Sequence, residues 1–222
     1  MVILIKRLFF IFLLFILSSC LIKEIETSNF SSYVIFIDPG HGGKDNGTSY
    51  NDIFEDELNL KLSTILYEML LDDNVVSYIS RVSDYDLSSP NAKNHKIEDL
   101  NKRIKYIDSF NTTLFVSLHL NYYPNNNVNG LQVFYQKDNK DSEVLAKIIQ
   151  QKLNSENKKD KTHKIGDYYI LNNCKSTGVL IEYGFLSSEY DRKRLLDKSY
   201  LSYLAKLIKE SIYEYLNNKN QY

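Results

Sequence analysis

Four polar residues stand at the ends or heads of apolar stretches, and their types suit metal-dependent hydrolysis. His41 follows the apolar run 34–37, His119 follows the run 114–118, and Glu182 follows the run 179–181. Glu55 stands at the head of an amphipathic stretch. Two imidazoles and a carboxylate can hold a zinc ion (Zn2+) with one position open, and a second carboxylate can transfer protons. The combination predicts a zinc hydrolase.

Strands must end at three of these positions if the four side chains are to meet. Strands are predicted at 33–37, 75–80, 114–118, 131–136 and 178–183, with a further short one at 168–171, and helices at 55–71, 97–110, 142–153, 189–196 and 200–216. This alternation predicts an α/β fold: a single domain with a mostly parallel twisted sheet and helices on both faces. In such sheets, sites form beyond the carboxyl ends of the strands. The long polar loop 82–97 is a candidate to line the site.

Each histidine has a structural alternative. His41 lies in the glycine-rich turn 40–43, which places backbone close to any ligand but matches no phosphate-binding pattern. His119 is alternatively a core histidine bonded to a backbone carbonyl. Ser117 and Asn121 alternate with it, so all three side chains share one strand face, where Asn121 is expected to orient the imidazole.

Local sequence alone also leaves alternatives open for the two carboxylates. Acidic residues favour helix amino termini, so Glu55, Asp56 and Glu57 compete for the ligand role and periodicity cannot choose among them. Glu182 is flanked by Ile181 and the apolar positions beyond it, and burying it unpaired is costly unless a metal site lies near. Its alternative is a solvent-facing residue of an edge strand.

Four motifs occur in an order that resembles the zinc-dependent N-acetylmuramoyl-L-alanine amidases of bacterial cell walls. They are 38–43, Glu55 with 59–60, 117–121 and 181–187, and the resemblance covers residues 33–216. It implies one zinc ion per chain bound by His41, Glu55 and His119, with Glu182 as the catalytic carboxylate. The implied substrate is peptidoglycan, cut between the muramic acid lactyl group and L-alanine. The segment 130–135 is similar to compact members that act on spore cortex.

Other positions of the resemblance leave alternatives open. Asp56 stands where the family usually has Lys, Leu120 where it has a small residue, and Ser188 where it has Asn, which puts substrate fit in doubt. Arg81 and Arg103 are either structural ion-pair partners or contacts to a substrate carboxylate. Tyr122 and Tyr123 either stack on sugars or pack locally, and the remaining histidines, His95 and His163, are expected on the surface.

The amino terminus is predicted to be a lipoprotein-type signal, residues 1–20. Basic residues precede the apolar run 8–17, which is too short for a comfortable membrane span, and residues 17–20 end in Cys20. A lipid on Cys20 would anchor the chain to the membrane, with 21–32 as a polar tether and 33–222 as the catalytic domain. An ordinary cleaved signal and an uncleaved anchor are the alternatives, and all three place the domain outside the cytoplasm.

Composition narrows the class of function. Lys and Arg total 27 against 28 Asp and Glu, a net charge of -1 that gives no electrostatic case for nucleic acid. Cys174 is the only other cysteine, which excludes a cysteine-centred zinc site. Two alternative functions remain: an inactive peptidoglycan-binding lipoprotein, and a zinc hydrolase of another amide. An activator protein would leave no mark on the sequence.

Overall fold

A twisted six-stranded sheet forms the centre of the domain in the computed structural model, which describes residues 30–219. The strands of the chain are β1 (Val34–Pro39), β2 (Ser49–Tyr50), β3 (Ile53–Phe54), β4 (Val76–Ile79), β5 (Leu114–Asn121), β6 (Gln132–Tyr135), β7 (Lys164–Ile165) and β8 (Thr177–Phe185). The sheet order is β4-β1-β5-β8-β6-β7, and β2 and β3 form a separate hairpin. Only the β6–β8 pair is antiparallel within the described sheet. The predicted mostly parallel sheet is therefore confirmed.

Six α-helices connect and cover these strands in the described part of the chain. They are α1 (Glu55–Asp72), α2 (His95–Ser109), α3 (Lys140–Leu153), α4 (Tyr169–Asn173), α5 (Glu189–Leu195) and α6 (Lys198–Lys219), and a short 3-10 turn spans Asn154–Glu156. The prediction of a strand at 168–171 was wrong. This segment begins α4, because the Asn172 N–H donates to the Tyr168 carbonyl at 2.9 Å and closes a helical turn. Four or five residues are too few for periodicity to separate strand from helix.

Apolar side chains fill both faces of the sheet. One face packs under α1, α3 and α6 and carries alternate strand residues such as Ile35, Val116 and Ile181. The opposite face packs against α2 and α4 and carries the intervening residues Phe36, Phe115 and Leu180. The central strands are buried on both faces, which is why they appear in the sequence as continuous apolar runs.

The packed domain includes residues ahead of β1. Phe30 is buried and stacks on Tyr213 of α6, with ring centroids 4.4 Å apart. The predicted signal segment and Cys20 lie outside the described residues. No helix within 30–219 has both the length and the apolar character needed to cross a bilayer.

The chain reverses its direction of travel across the sheet at β1. The connection through α1 leads to β4 on one side of β1, and the connection through α2 returns to β5 on the other side. A crevice opens at such a switch point, beyond the carboxyl ends of the strands. His41 follows the end of β1 and His119 lies near the end of β5, so both residues are at this end of the sheet.

Candidate active site

His41 lies two residues beyond β1 in a left-handed backbone conformation, with φ of 61°. This conformation is uncommon for a residue with a side chain and persists only where its surroundings hold it. Arg103 of α2 supplies one such restraint, because its guanidinium donates to the His41 carbonyl at 2.7 Å. The turn therefore fixes the imidazole by contacts made to the backbone.

Two buried arginines hold the rest of this turn. Arg81 donates to the carbonyls of Pro39 and Gly40 at 3.2 and 3.0 Å. Arg103 donates to the Pro39 carbonyl at 2.7 Å and forms an ion pair with Asp38 at 2.7 Å. Both arginines are 1% exposed. Of the two roles left open by the sequence, these contacts favour the structural one.

Glu55 is the first residue of α1 and lies between the two imidazoles. Its Oε1 is 3.2 Å from His41 Nε2 and 3.1 Å from His119 Nδ1. Backbone N–H groups of Leu120 and Thr48 donate to its two oxygens at 2.9 and 2.8 Å. Burial acts to raise the pKa of Glu55, but hydrogen bonds and charge from His119 and His41 outweigh it and hold the pKa well below the ordinary range. Neither Asp56 nor Glu57 has this placement, so the geometry selects Glu55.

His119 lies near the end of β5 with its ring directly against Gly40. A Cβ at Gly40 would lie only 2.2 to 2.6 Å from three atoms of the His119 ring. The glycine is therefore required by close packing. The rings of His41 and His119 are 4.9 Å apart and nearly perpendicular, so both present an edge nitrogen to Glu55.

The three side chains form a metal-binding group in geometry and in chemistry. One ligand atom from each of His41, Glu55 and His119 lies within 4.8 Å of the other two. Two imidazole nitrogens and one carboxylate oxygen are a donor set that zinc accepts, and three protein ligands leave a coordination position open. The residues present therefore fit zinc.

Asp45 orients His41 from the opposite side of the ring. Its Oδ2 is 2.9 Å from His41 Nδ1, so the far nitrogen, Nε2, is turned toward Glu55. Burial acts to lower the pKa of His41, but Asp45 and Glu55 raise it to about 9. The expectation that Asn121 would orient His119 was wrong. The side-chain Oδ1 of Asn121 accepts from the Tyr122 N–H at 2.8 Å, and the β5–β8 register shifts between His119 and Asn121.

Glu182 lies on β8 at the register position opposite His119 of β5. It is 6% exposed, so it does not lie on a solvent-facing edge strand. Its Oε1 accepts a hydrogen bond from the Tyr168 hydroxyl at 3.2 Å. Burial raises the pKa of Glu182, with the attraction of His119 acting against it and the repulsion of Glu55 adding to it. A raised carboxyl pKa suits a group that both accepts and returns a proton near neutral pH.

These side chains share a cleft of about 340 Å³. Its walls come from α2 and from the start of α4; the lining includes Lys96, Asp99, Arg103, Asp167, Tyr168 and Tyr169. Only the end of the polar loop 82–97 reaches it, through Lys96. The structure thus brings together all four residues selected in the sequence.

Other candidates lie outside this cleft. Tyr122 and Tyr123 are 49% and 52% exposed. Packing against neighbouring residues therefore does not explain the presence of these two aromatic side chains, and stacking on sugars remains a prediction. His95 contacts Ser88 at 2.6 Å, and His163 lies 3.9 Å from Glu143; both are only partly exposed. Neither contributes to the metal-binding group among the described residues.

The three departures from the family pattern also have defined places. Asp56 is 2% exposed and its Oδ1 has no hydrogen-bond partner in the described residues. Leu120 is buried beside Glu55 and gives it a backbone hydrogen bond. Ser188 caps α5 by accepting from the Asp191 N–H at 3.4 Å. None of the three displaces a member of the metal-binding group.

Sequence reasoning missed Asp45 and Tyr168, and it gave Asn59 no role. Asn59 donates to the Gly40 carbonyl at 3.2 Å and accepts from the Tyr183 hydroxyl at 2.9 Å, which ties α1 to the His41 turn. A carboxylate four residues after His41 was a usable signal for Asp45. No local signal identified Tyr168.

Comparison with known proteins agrees with this geometry. The Amidase_3 family, described as N-acetylmuramoyl-L-alanine amidase, matches residues 35–214. A germination-specific N-acetylmuramoyl-L-alanine amidase of Bacillus subtilis is 33% identical over 194 residues, covering 85% of this chain and 82% of that protein.

Solved structures give the same result. The CwlD amidase of Clostridioides difficile, solved in complex with the GerS lipoprotein, has a TM-score of 0.79 at 32% identity and covers 83% of this chain and 98% of that one. An N-acetylmuramoyl-L-alanine amidase from Clostridium difficile has a TM-score of 0.75 at 28% identity, over 84% of this chain and 98% of that one. The chain described here belongs to the N-acetylmuramoyl-L-alanine amidase family and is an enzyme of that class.

Proposed function

We propose that the protein hydrolyses the amide bond between the muramic acid lactyl group and L-alanine of peptidoglycan in a zinc-dependent reaction. The observation that carries this proposal is the convergence of His41, Glu55 and His119, with Glu182 one strand away in the same cleft. Family membership supports the class of reaction. Zinc, one ion per chain, would be held by the three converging side chains.

Zinc supplies Lewis-acid chemistry at such a site, acidifying a water molecule to a pKa of about 7 and polarising a carbonyl. Glu182 takes the proton from the attacking water and passes it to the nitrogen of the leaving L-alanine as the C–N bond breaks. Asp45 holds the His41 ring in the orientation that turns Nε2 inward. Arg103 and Arg81 keep the turn that carries His41 in place.

The test of the function uses purified protein on isolated peptidoglycan with zinc present. Newly exposed amino-terminal alanine without new reducing sugar ends is the expected result. Reducing ends alone, or release of another amine from a panel of peptide and acyl amides, would refute the assigned bond. If neither product forms, the result would favour an inactive peptidoglycan-binding protein or the need for an activator.

Two variants test the assigned roles separately. Glu182→Gln should keep zinc and lose turnover, because an amide cannot accept the proton; near-normal activity would contradict the role of Glu182. His41→Ala should lose zinc and activity together, and an unchanged zinc stoichiometry would contradict the ligand role. Zinc content by elemental analysis separates the two outcomes.

The relatives suggest the setting in which the enzyme acts. The Bacillus subtilis relative is named germination-specific, which supports spore-cortex peptidoglycan as the substrate here. The solved complex of the Clostridioides difficile relative with a lipoprotein supports a protein partner for this chain as well. Comparing cortex and vegetative peptidoglycan as substrates, with and without proteins that co-purify with the chain, tests both.

We further propose that the domain acts outside the cytoplasm, anchored by a lipid on Cys20. The support is the sequence of residues 1–20, which lie outside the described structure. Metabolic labelling with a radioactive fatty acid should mark the wild-type protein and not Cys20→Ser. Label that is missing from both proteins would favour an uncleaved anchor or an ordinary signal, and label that persists in the variant would exclude Cys20 as the only lipidated residue.

A further inference from the structure

The two carboxylate oxygens of Glu182 have different surroundings. Oε1 accepts the hydrogen bond from the Tyr168 hydroxyl at 3.2 Å. Oε2 is buried and has no hydrogen-bond partner among residues 30–219. A buried acceptor without a partner is rare in folded proteins and calls for an explanation. A group that exchanges a proton with substrate or water provides one.

Tyr168 is held firmly where it meets Glu182. It precedes the first residue of α4, and its carbonyl accepts from the Asn172 N–H at 2.9 Å. Its ring packs edge-on against Phe134 with centroids 5.2 Å apart. A Cβ at Gly166 would lie 2.9 Å from Tyr168 Cδ2, so the glycine leaves room for the ring. These contacts fix the hydroxyl independently of Glu182.

The Tyr168 hydroxyl can only donate in this contact. Burial, followed by the negative charge and hydrogen bond of Glu182, raises the pKa of Tyr168 above its usual value. The hydroxyl therefore keeps its proton at neutral pH and can donate it in a hydrogen bond to the ionised Glu182 carboxylate. Its bond to Oε1 engages that oxygen and leaves Oε2 free to exchange a proton.

We propose that Tyr168 is a positioning residue, whose hydroxyl anchors Glu182 through Oε1 and thereby makes Oε2 the proton-transferring oxygen. This inference rests on the proposed role of Glu182. The proton leaves the attacking water, binds to Oε2, and moves from there to the leaving nitrogen as the C–N bond breaks. Tyr168 neither gains nor loses a proton in the cycle.

The test compares kcat and KM of the full chain, purified in detergent, with those of Tyr168→Phe. Phenylalanine retains the ring and its packing on Phe134 and removes only the hydroxyl. We expect kcat to fall about tenfold, the effect of one hydrogen bond to a charged group, with KM and zinc content unchanged. The matched control is Tyr213→Phe, which removes a hydroxyl that donates to Asp73 at 2.8 Å on another part of the domain. Its kcat should equal that of the wild type.

A second background tests whether the effect passes through Glu182. In Glu182→Asp the carboxylate is shortened and withdrawn from Tyr168, so adding Tyr168→Phe should change kcat less than twofold. A tenfold loss in both backgrounds would overturn the proposal, because independent sites act additively. If Tyr168→Phe lowers Tm, kcat is compared at a temperature at which both proteins are fully folded, and the tenfold loss should persist there.

Three further results would overturn the inference. Unchanged kcat in Tyr168→Phe, with Glu182→Gln inactive, would leave the role of Glu182 standing and remove that of Tyr168. A raised KM with unchanged kcat would make Tyr168 a substrate contact instead. Near-normal activity of Glu182→Gln would instead refute the proposed role of Glu182, and the inference with it.

Discussion

Replacing Arg103 with an uncharged residue should greatly lower the free energy of unfolding of the domain. Its guanidinium donates to Asp38, Asp99 and the carbonyls of Pro39 and His41, each at 2.7 Å. Arg103→Met retains much of the volume and leaves Asp38 buried without a cation. Breaking a buried ion pair by removing one partner costs about 3–5 kcal/mol. A domain of this size is stable by only about 5–15 kcal/mol, so the loss is a large share of the total.

The size of this loss should depend on pH. Burial acts to raise the pKa of Asp38, but Arg103, Ser80 and Ser117 together hold it below its ordinary 3.8. In the wild type, Asp38 therefore contributes stability that is present above pH 3.8 and lost as the pH falls through the lower folded pKa. Without Arg103 the same carboxyl has a raised pKa, so the variant loses stability as the pH rises above 3.8. The difference between the two proteins should therefore be larger at pH 7.5 than at pH 4, close to the ordinary pKa of the carboxyl.

Urea unfolding followed by far-UV circular dichroism, with EDTA present to remove the contribution of zinc, measures both effects. The control is Lys102→Met, one residue earlier on α2, which removes a partly exposed ion pair with Glu98 at 2.9 Å. That variant should lie within about 0.5 kcal/mol of the wild type. An Arg103→Met loss below about 1 kcal/mol, or equal losses at the two pH values, would refute the reasoning.

Two further predictions follow from the candidate site, and a third concerns the buried Cys174. Gly40→Ala should lose zinc and activity, because its Cβ would overlap the His119 ring; zinc content by elemental analysis checks this, and full occupancy would contradict it. Apparent zinc affinity should rise with pH and level off near pH 9, because His41 must release the proton that its pKa of about 9 retains. Chelator competition between pH 6 and 10 measures this, and a flat profile would exclude the linkage. Cys174 should resist a thiol reagent until the protein unfolds, because burial, aided by Asp108, raises the pKa of its thiol; rapid labelling at Cys174 in the native protein, located by peptide mapping, would contradict this.

The sheet and three of the four central residues were predictable because parallel, doubly buried strands appear as apolar runs that end abruptly. His41 and His119 are polar residues at such ends, and Glu182 interrupts the last run. Choosing Glu55 over its acidic neighbours required the family pattern, since all three share the first turn of α1. The two-residue strand β7 and the hairpin β2–β3 carry too few residues for any periodicity to show.

Contacts between distant segments account for the rest. Asn121 was expected to share the face of His119, but the register shift at the end of β5 breaks the alternation on which that expectation depended. Arg103 contacts a turn 62 residues earlier in the chain, so its structural role was invisible locally. Tyr168 reaches Glu182 from a segment that was assigned to the wrong element.

The position of β8 affects when a growing chain can become active. Among the strands that the structure describes, β8 is the last to be synthesised, yet it lies between β5 and β6 in the interior of the sheet. A chain that ends before Thr177 lacks Glu182 and leaves β5 and β6 each without the strand that joins them, with β5 paired only to β1 and β6 only to β7. With Glu182 as the proposed catalytic carboxylate, insertion of β8 would join the two parts of the sheet and supply that carboxylate in the same step, so a chain truncated before β8 should not hydrolyse peptidoglycan.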